Sequence, residues 1–238
     1  PTNKDGGEVL TTIGTQGLKR VALDYNKVLT PDGKWAGRVI LAQEDKDSHL
    51  RALNNKRTAF SGIIEGQVGN DGVLTLGLTY QDSKQRSPMW GSLTLPYIDG
   101  SLAEFDVSAS TAQDWTLWDK RTQTAFVEYT HYLSPDWEAK LTYNRTEGKG
   151  ATKLFYAYTA NGYLNADNTG LFGWPYRSDS ESSSDVVDAN LTGRFDAFGR
   201  QHEAVVGLSH SKQKSLTESY AGATFPVMPA FPYPGDVY

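Results

Sequence analysis

The residues best suited to chemistry in this chain are aromatic rings gathered into two stretches without strand patterning. One, 85–121, holds Pro88-Met89-Trp90-Gly91, Tyr97, Trp115 and Trp118. The other, 149–185, holds Phe155, Tyr156, Tyr158, Tyr163 and Phe172-Gly173-Trp174-Pro175-Tyr176. Rings supply rigid contact area at small entropic cost, and rings that converge mark pockets for flat or partly apolar ligands. The competing reading is that they pack the two stretches against each other.

Other reactive groups are sparse. His49, His131, His202 and His210 show no H-x-x-x-H spacing, so no metal site is expected. Asp179-Ser180-Glu181-Ser182-Ser183-Ser184-Asp185 is acidic but lacks the glycine and ordered ligand positions of a calcium loop, and reads as a solvated loop. There is no cysteine, which removes thiolate ligands, cysteine nucleophiles and disulfides. No G-x-S-x-G or phosphate loop occurs, and Glu65, Glu128 and Asp188 are dispersed on polar strand faces. Enzymatic activity and catalytic residues are therefore not expected. A net charge of −5 argues against a nucleic-acid partner.

The elements that position the rings are strands. In Trp137, Ala139, Leu141 and Tyr143 apolar side chains alternate with Glu138, Lys140, Thr142 and Asn144. The same period of two runs through Val21, Leu23 and Tyr25, through Leu74, Leu76, Leu78 and Tyr80, and through Val187, Ala189 and Leu191. Nine strands are predicted, at 7–16, 18–28, 34–45, 56–68, 73–84, 122–133, 137–148, 186–196 and 203–213. Most reach ten residues, as a tilted membrane strand requires, where soluble strands average about 5–6. Short turns (Thr30-Pro31-Asp32-Gly33, Gly69-Asn70-Asp71-Gly72, Ser134-Pro135-Asp136, Phe198-Gly199) alternate with longer connections at 46–55, 85–121, 149–185 and 214 onward. Thr15-Gln16-Gly17 is the exception, a tight hairpin on the long-loop side. That rim asymmetry belongs to outer-membrane barrels. Trp35, Tyr80, Tyr132, Trp137, Tyr143, Phe195 and Phe198 fall near strand ends, where an interfacial girdle would place them. With 38% hydrophobic residues and a mean hydropathy of −0.51, the chain suits strands that are apolar on one face. The expected fold is an all-β, antiparallel up-and-down transmembrane barrel segment. A soluble extracellular β-sandwich binding carbohydrate on aromatic loops is the alternative, and an ordinary porin a third.

In order, Pro1-Thr2, Glu8-Val9, Gly37-Arg38-Val39, Gln43-Glu44-Asp45-Lys46-Asp47-Ser48, Lys56-Arg57-Thr58, Leu76-Gly77-Leu78-Thr79-Tyr80-Gln81-Asp82, Trp115-Thr116-Leu117-Trp118, Phe126-Val127-Glu128-Tyr129 and Gly199-Arg200-Gln201-His202-Glu203-Ala204-Val205-Val206-Gly207 resemble successive motifs of the TonB-dependent ferric-siderophore receptors, in the pyoverdine and hydroxamate branch. Each is weak alone; their order over about 200 residues is the signal. The resemblance implies the N-terminal part of a 22-stranded barrel domain in the bacterial outer membrane, with a plug and TonB box before Pro1 and the later strands after Tyr238. It implies ferric siderophore as ligand, TonB as partner through the preceding region, outer-membrane lipid around the wall, and iron arriving already chelated with no resident cofactor. Nine strands alone would not close such a barrel or transport. The resemblance points most at Trp90, Trp118 and Trp174 as ligand contacts, with Tyr97, Trp115, Tyr156 and Tyr176 beside them.

Overall fold

The computed structural model describes residue 1 and residues 3–238; Thr2, the first threonine of the resemblance, lies outside the described residues. The strands are β1 (Gly6–Ile13), β2 (Lys19–Val28), β3 (Trp35–Asp47), β4 (Asn54–Val68), β5 (Gly72–Arg86), β6 (Leu117–Ser134), β7 (Trp137–Thr159), β8 (Leu171–Ala197) and β9 (Arg200–Ala221). They form one sheet in sequence order, each antiparallel to its neighbours. A single meandering sheet is not a sandwich, so the soluble alternative is set aside. Among the described residues, no helix is long and apolar enough to cross a membrane.

Alternation organises the wall. Register places Leu23 opposite Leu41, Leu41 opposite Phe60, Phe60 opposite Tyr80, Leu76 opposite Val127 and Val127 opposite Tyr143. These positions share one face, and many are large, apolar and exposed, as a lipid-facing band requires. The other face carries partnered polar groups: Arg38 with Asp24, Arg20 with Glu44 at 3.4 Å, Lys140 with Glu128 at 2.8 Å, and Thr124 with Thr146 at 3.0 Å. It is the face of a water-lined lumen.

Two tryptophans mark the short-turn edge of the band. Trp35 lies over Gly66 and Trp137 over Gly193, their cross-strand neighbours. A Cβ would meet the ring at 2.0 Å at Gly66 and at 2.1 Å at Gly193, so any larger residue would push the ring from this place. Tyr132 departs from the expected girdle. A register shift between Tyr132 and Ser134 accompanies it, and it lines a groove with Glu65, Gln67 and Val73 on the polar face. Phe198 stands fully exposed at its turn, where it and Gly199 take successive positive φ angles of 52° and 72°. That backbone is the type I′ geometry of two-residue hairpins.

The strands run further than expected at the long-loop end. β6 begins at Leu117, β7 continues to Thr159, β8 starts at Leu171 and β9 reaches Ala221. The loops shrink accordingly to 87–116, 160–170 and 222–238. The acidic-serine stretch 179–185 is strand, not loop. At about 3.3 Å per residue and a tilt near 40°, the 23 residues of β7 rise roughly 58 Å, about twice the ~25 Å apolar band. The upper parts of β7 and β8 therefore stand clear of lipid. Charged pairs such as Arg145 with Asp185 (3.2 Å) and Lys149 with Glu181 (2.9 Å) continue the lipid-facing parity there.

Candidate aromatic ligand site at the long-loop end

Above lipid height, the two faces of β7 and β8 diverge. Register is unbroken from Trp137↔Gly193 to Thr159↔Leu171, so even-numbered β7 residues keep the lumen face throughout. Tyr156 and Tyr158 on β7 and Phe172, Trp174 and Tyr176 on β8 share it, paired as Tyr156↔Trp174 and Tyr158↔Phe172. Trp90, from the loop after β5, sits among them. Its ring centre lies 5.7 Å from Tyr156, 5.6 Å from Trp174 and 5.3 Å from Tyr176. Tyr156 and Tyr158 stack at 5.9 Å, and Tyr158 meets Phe172 at 6.1 Å. Gly91, at φ +90°, brings the loop backbone onto Tyr156, because a Cβ there would come within 2.3 Å of its ring.

The opposite face carries the hydrophobic core. Phe155, Ala157 and Leu171 are buried with Leu164, Ala103, Ala109, Met228, Phe231 and Tyr233. Gly173 is the flat spot that seats the Phe155 ring, where a Cβ would approach within 2.1 Å. Residues 226–228 run beside the end of β8 through Gly173 N–H to the Pro226 carbonyl (2.8 Å) and Met228 N–H to the Leu171 carbonyl (2.8 Å). The rings on the lumen face are thus mounted on strands backed by a packed core.

The loops are tied down by three devices. Arg51 donates to the Ala112 carbonyl at 2.5 Å and to Asp114 at 3.1 Å, while its own N–H donates to the Ser108 carbonyl at 2.9 Å. The last residues dock on the same loop: Trp115 Nε1 donates to the Tyr238 carbonyl at 3.0 Å, and Val237 N–H to Gln113 Oε1 at 2.8 Å. Third, Asp99, Asp106 and Asp167 each accept from the hydroxyl and N–H of the residue two places on. The hydroxyls of Ser101, Ser108 and Thr169, then the amides, hold these carboxyls below the usual range. Burial pushes the Tyr233 phenol up to about 12, against a smaller opposing effect of the Arg51 charge.

Of the seven rings singled out from sequence, Trp90, Tyr156, Trp174 and Tyr176 come together. Trp118 stands apart on β6, exposed, opposite Gln85 and Thr152. Trp115 and Tyr97 pack with the core instead, Trp115 edge-on to Phe155 at 6.1 Å and Tyr97 donating to Asn168 at 2.5 Å. Tyr158 and Phe172 extend the group and follow from strand parity once β7 and β8 are seen to continue. Arg51 was not foreseen. The three Asp-x-Ser/Thr triplets were a readable turn signal.

Known proteins show the same wall. No family model matches the chain. The ferripyoverdine receptor of Pseudomonas aeruginosa is 29% identical over 232 residues, which are 92% of this chain and 27% of that receptor. The ferric-pyoverdine BN7/BN8 receptor of Pseudomonas putida is 26% identical over 222 residues, 93% of this chain and 27% of its own length. The crystal structure of the Pseudomonas aeruginosa ferripyoverdine receptor of the outer membrane, bound to ferripyoverdine, superimposes with a TM-score of 0.86 at 28% identity, over 92% of this chain and 29% of that one. The chain is a homologue of the ferric-siderophore receptors. The ferric-catecholate import receptor Fiu of E. coli, at 17% identity and a TM-score of 0.78, shares the fold. The chain spans little more than a quarter of the length of the curated relatives it matches. These relatives are receptors rather than enzymes, and the apolar band together with the homology places this chain in the bacterial outer membrane.

Proposed function

We propose that this chain is the part of an outer-membrane ferric-siderophore receptor that forms the first section of its barrel wall and a share of its outer ligand site. The observation that carries the reading is the aromatic group on the lumen face of β7 and β8, with Trp90 among its rings. Rings held on a rigid sheet above a polar lumen suit a ligand with a flat, partly apolar portion and a hydrophilic remainder. The named relatives bind ferric pyoverdines, which supports a ferric siderophore as the ligand here. Iron then arrives within the chelate, and no side chain of this chain is assigned to it. Among the described residues, no group of three or more His, Cys, Asp or Glu is arranged to hold a metal. Energy from TonB, delivered through a plug, is part of the same proposal and rests on the motif resemblance.

The test is iron uptake by cells relying on the full-length receptor that carries this segment. Labelled ferric siderophore should accumulate with wild type and only when TonB is present. Substituting Trp174 and Tyr176 together by Ala should reduce uptake at least tenfold at equal surface abundance. Full uptake by that variant, or uptake indifferent to TonB, would contradict the proposal.

A further inference from the structure

Two glycines of the lipid-facing band seat no ring. Gly66 and Gly193 lie under tryptophans, whereas Gly37 and Gly62, on the same face, do not. A Cβ at Gly37 would meet nothing closer than the Leu29 side chain at 3.5 Å, and one at Gly62 only the end of the Phe60 ring at 3.2 Å. Neither glycine has a positive φ, and the register runs unbroken through both, so neither marks a turn or a bulge. Glycine inside a strand weakens it, and where no turn or bulge needs it, it lets a ligand come close to the backbone.

Together the two floor a groove of about 500 Å³, flanked by Val39 and Phe60 on one side and by Ile64 and Leu78 on the other. Its direction follows from the register. The row of paired positions that starts at Val9, Leu23 and Leu41 arrives at Glu147 on β7 and Lys214 on β9, so rows climb out of the apolar band from β1 to β9. From Gly37 to Gly62 is one strand across and two residues up, about 4.8 Å and 6.6 Å. At a tilt near 40° the sideways parts of these two steps nearly cancel, which leaves a line of roughly 8 Å close to the membrane normal. Lipid chains run in that direction. At the short-turn end the groove is lined by Leu29 and Lys27. Lys27 is paired with Asp5, which also accepts from Val28 N–H at 2.7 Å, and both charged side chains are exposed. The Lys27 ammonium has further hydrogens to give.

We propose that this groove binds one acyl chain of a phospholipid with an ethanolamine headgroup, whose phosphate lies at Lys27 and whose ammonium lies at Asp5. The chain fills the space left by two absent side chains, over apolar flanks. Lys27 keeps its stem on the apolar surface and its charge at headgroup level. Asp5 accepts from the ethanolamine ammonium, a charge-assisted bond that a glycerol headgroup cannot offer. Short turns face the periplasm in outer-membrane barrels, so the site belongs to the inner leaflet, which is made of phospholipid.

The experiment counts lipids held by the full-length receptor carrying this segment, using native mass spectrometry in detergent. Phosphatidylethanolamine and phosphatidylglycerol with identical chains are the two probes. Wild type should retain one phosphatidylethanolamine about fivefold more tightly than phosphatidylglycerol. Gly37→Val with Gly62→Leu fills the groove and should remove that bound lipid. Ala125→Leu, on the same face opposite Leu78 but outside the groove, should leave it in place. Lys27→Gln should weaken retention of both lipids, and Asp5→Asn should abolish the preference between them. Unchanged retention in the filled variant overturns the chain site, as does loss of the lipid in Ala125→Leu to the same extent. Equal retention of the two lipids by wild type, or a preference that survives Asp5→Asn, overturns the headgroup assignment. Where the filled variant does not fold, Lys27→Gln decides, because it leaves the groove open: unchanged retention of both lipids overturns the proposal. Siderophore binding does not enter this readout, so the lipid site and the receptor reading stand or fall separately.

Discussion

At lipid height the sheet buries little, whereas at the long-loop end the same strands back onto a dry core. Ala36 and Pro88 are the buried apolar side chains among described residues 1–102; the others begin at Ala103 and gather around β7 and β8. The wall is a single layer whose two faces meet different solvents, lipid outside and a polar lumen inside. Its order comes from backbone pairing and from partnered charges, which are solvent-screened and individually contribute little. The head has a face to bury, and Phe155 at 0% and Leu164 at 1% exposure show that it does so. Backbone pairing suffices to make a wall, but holding a constellation of rings to within a fraction of an ångström takes packing on the reverse side.

Breaking that core should separate the two regions most clearly. Phe155→Ala should cost the head about 3–5 kcal/mol. Loops 87–116 and 222–238 should become open to proteolysis while the barrel-wall strands keep their heat resistance. Arg51→Ala removes charge-assisted bonds to Ala112 and Asp114 and should cost roughly 1.5–3 kcal/mol. It is read as faster amide exchange confined to 108–116. A sharper contrast comes from two glycines under rings, each with a Cβ position 2.1 Å from the ring. Gly173→Ala strikes Phe155, which is boxed in by Met228, and should cost about 1–3 kcal/mol. Gly193→Ala strikes Trp137, which can swing into the lipid interface, and should cost less than about 1 kcal/mol. Equal thermal shifts in the two variants would erase the distinction between regions.

The smallest effect is a pH dependence of the head alone. Tyr233 is neutral in the fold up to about pH 12, whereas an unfolded tyrosine ionises near 10. A raised phenol contributes stability that is complete below pH 10 and lost as pH climbs from 10 to 12. Protease protection of 222–238 should fall over that window, and Tyr233→Phe should abolish the fall. The turn aspartates act at the other end. Their lowered carboxyls contribute in full above the ordinary carboxylate pKa and lose that contribution as pH falls from there through the lowered folded-state pKa.

The wall was legible from sequence because lipid on one side and water on the other write a period of two, as Trp137 to Asn144 shows. The head was not, for the same reason. Once β7 passes Tyr143 the outward positions become Arg145, Glu147 and Lys149, and the contrast between faces disappears. Gly148, Gly150, Pro175 and the serines of 178–184 then read as loop. Pro175 is tolerated because β9 pairs with β8 only as far as Tyr176, so no ladder bond is lost there. The aromatic residues were picked out by type, but their sharing of one face depends on the continued register of β7 and β8. Reading those segments as loop also left Tyr158 and Phe172, named among their rings, outside the group of expected ligand contacts. Arg51 left no trace, since a lone arginine in a short loop does not disclose carbonyls some sixty residues away.

The most direct measurement is ferric-siderophore binding to the full-length receptor with paired alanine substitutions in each region. Trp174→Ala with Tyr176→Ala removes the head's rings, and Trp35→Ala with Trp137→Ala removes rings of the same kind from the lipid edge. The head pair should weaken binding of ferripyoverdine at least tenfold, while the lipid-edge pair leaves the affinity within about twofold. Equal affinities in the two variants, or a larger loss in the lipid-edge pair, would contradict the assignment of the ligand site to the aromatic face of β7 and β8.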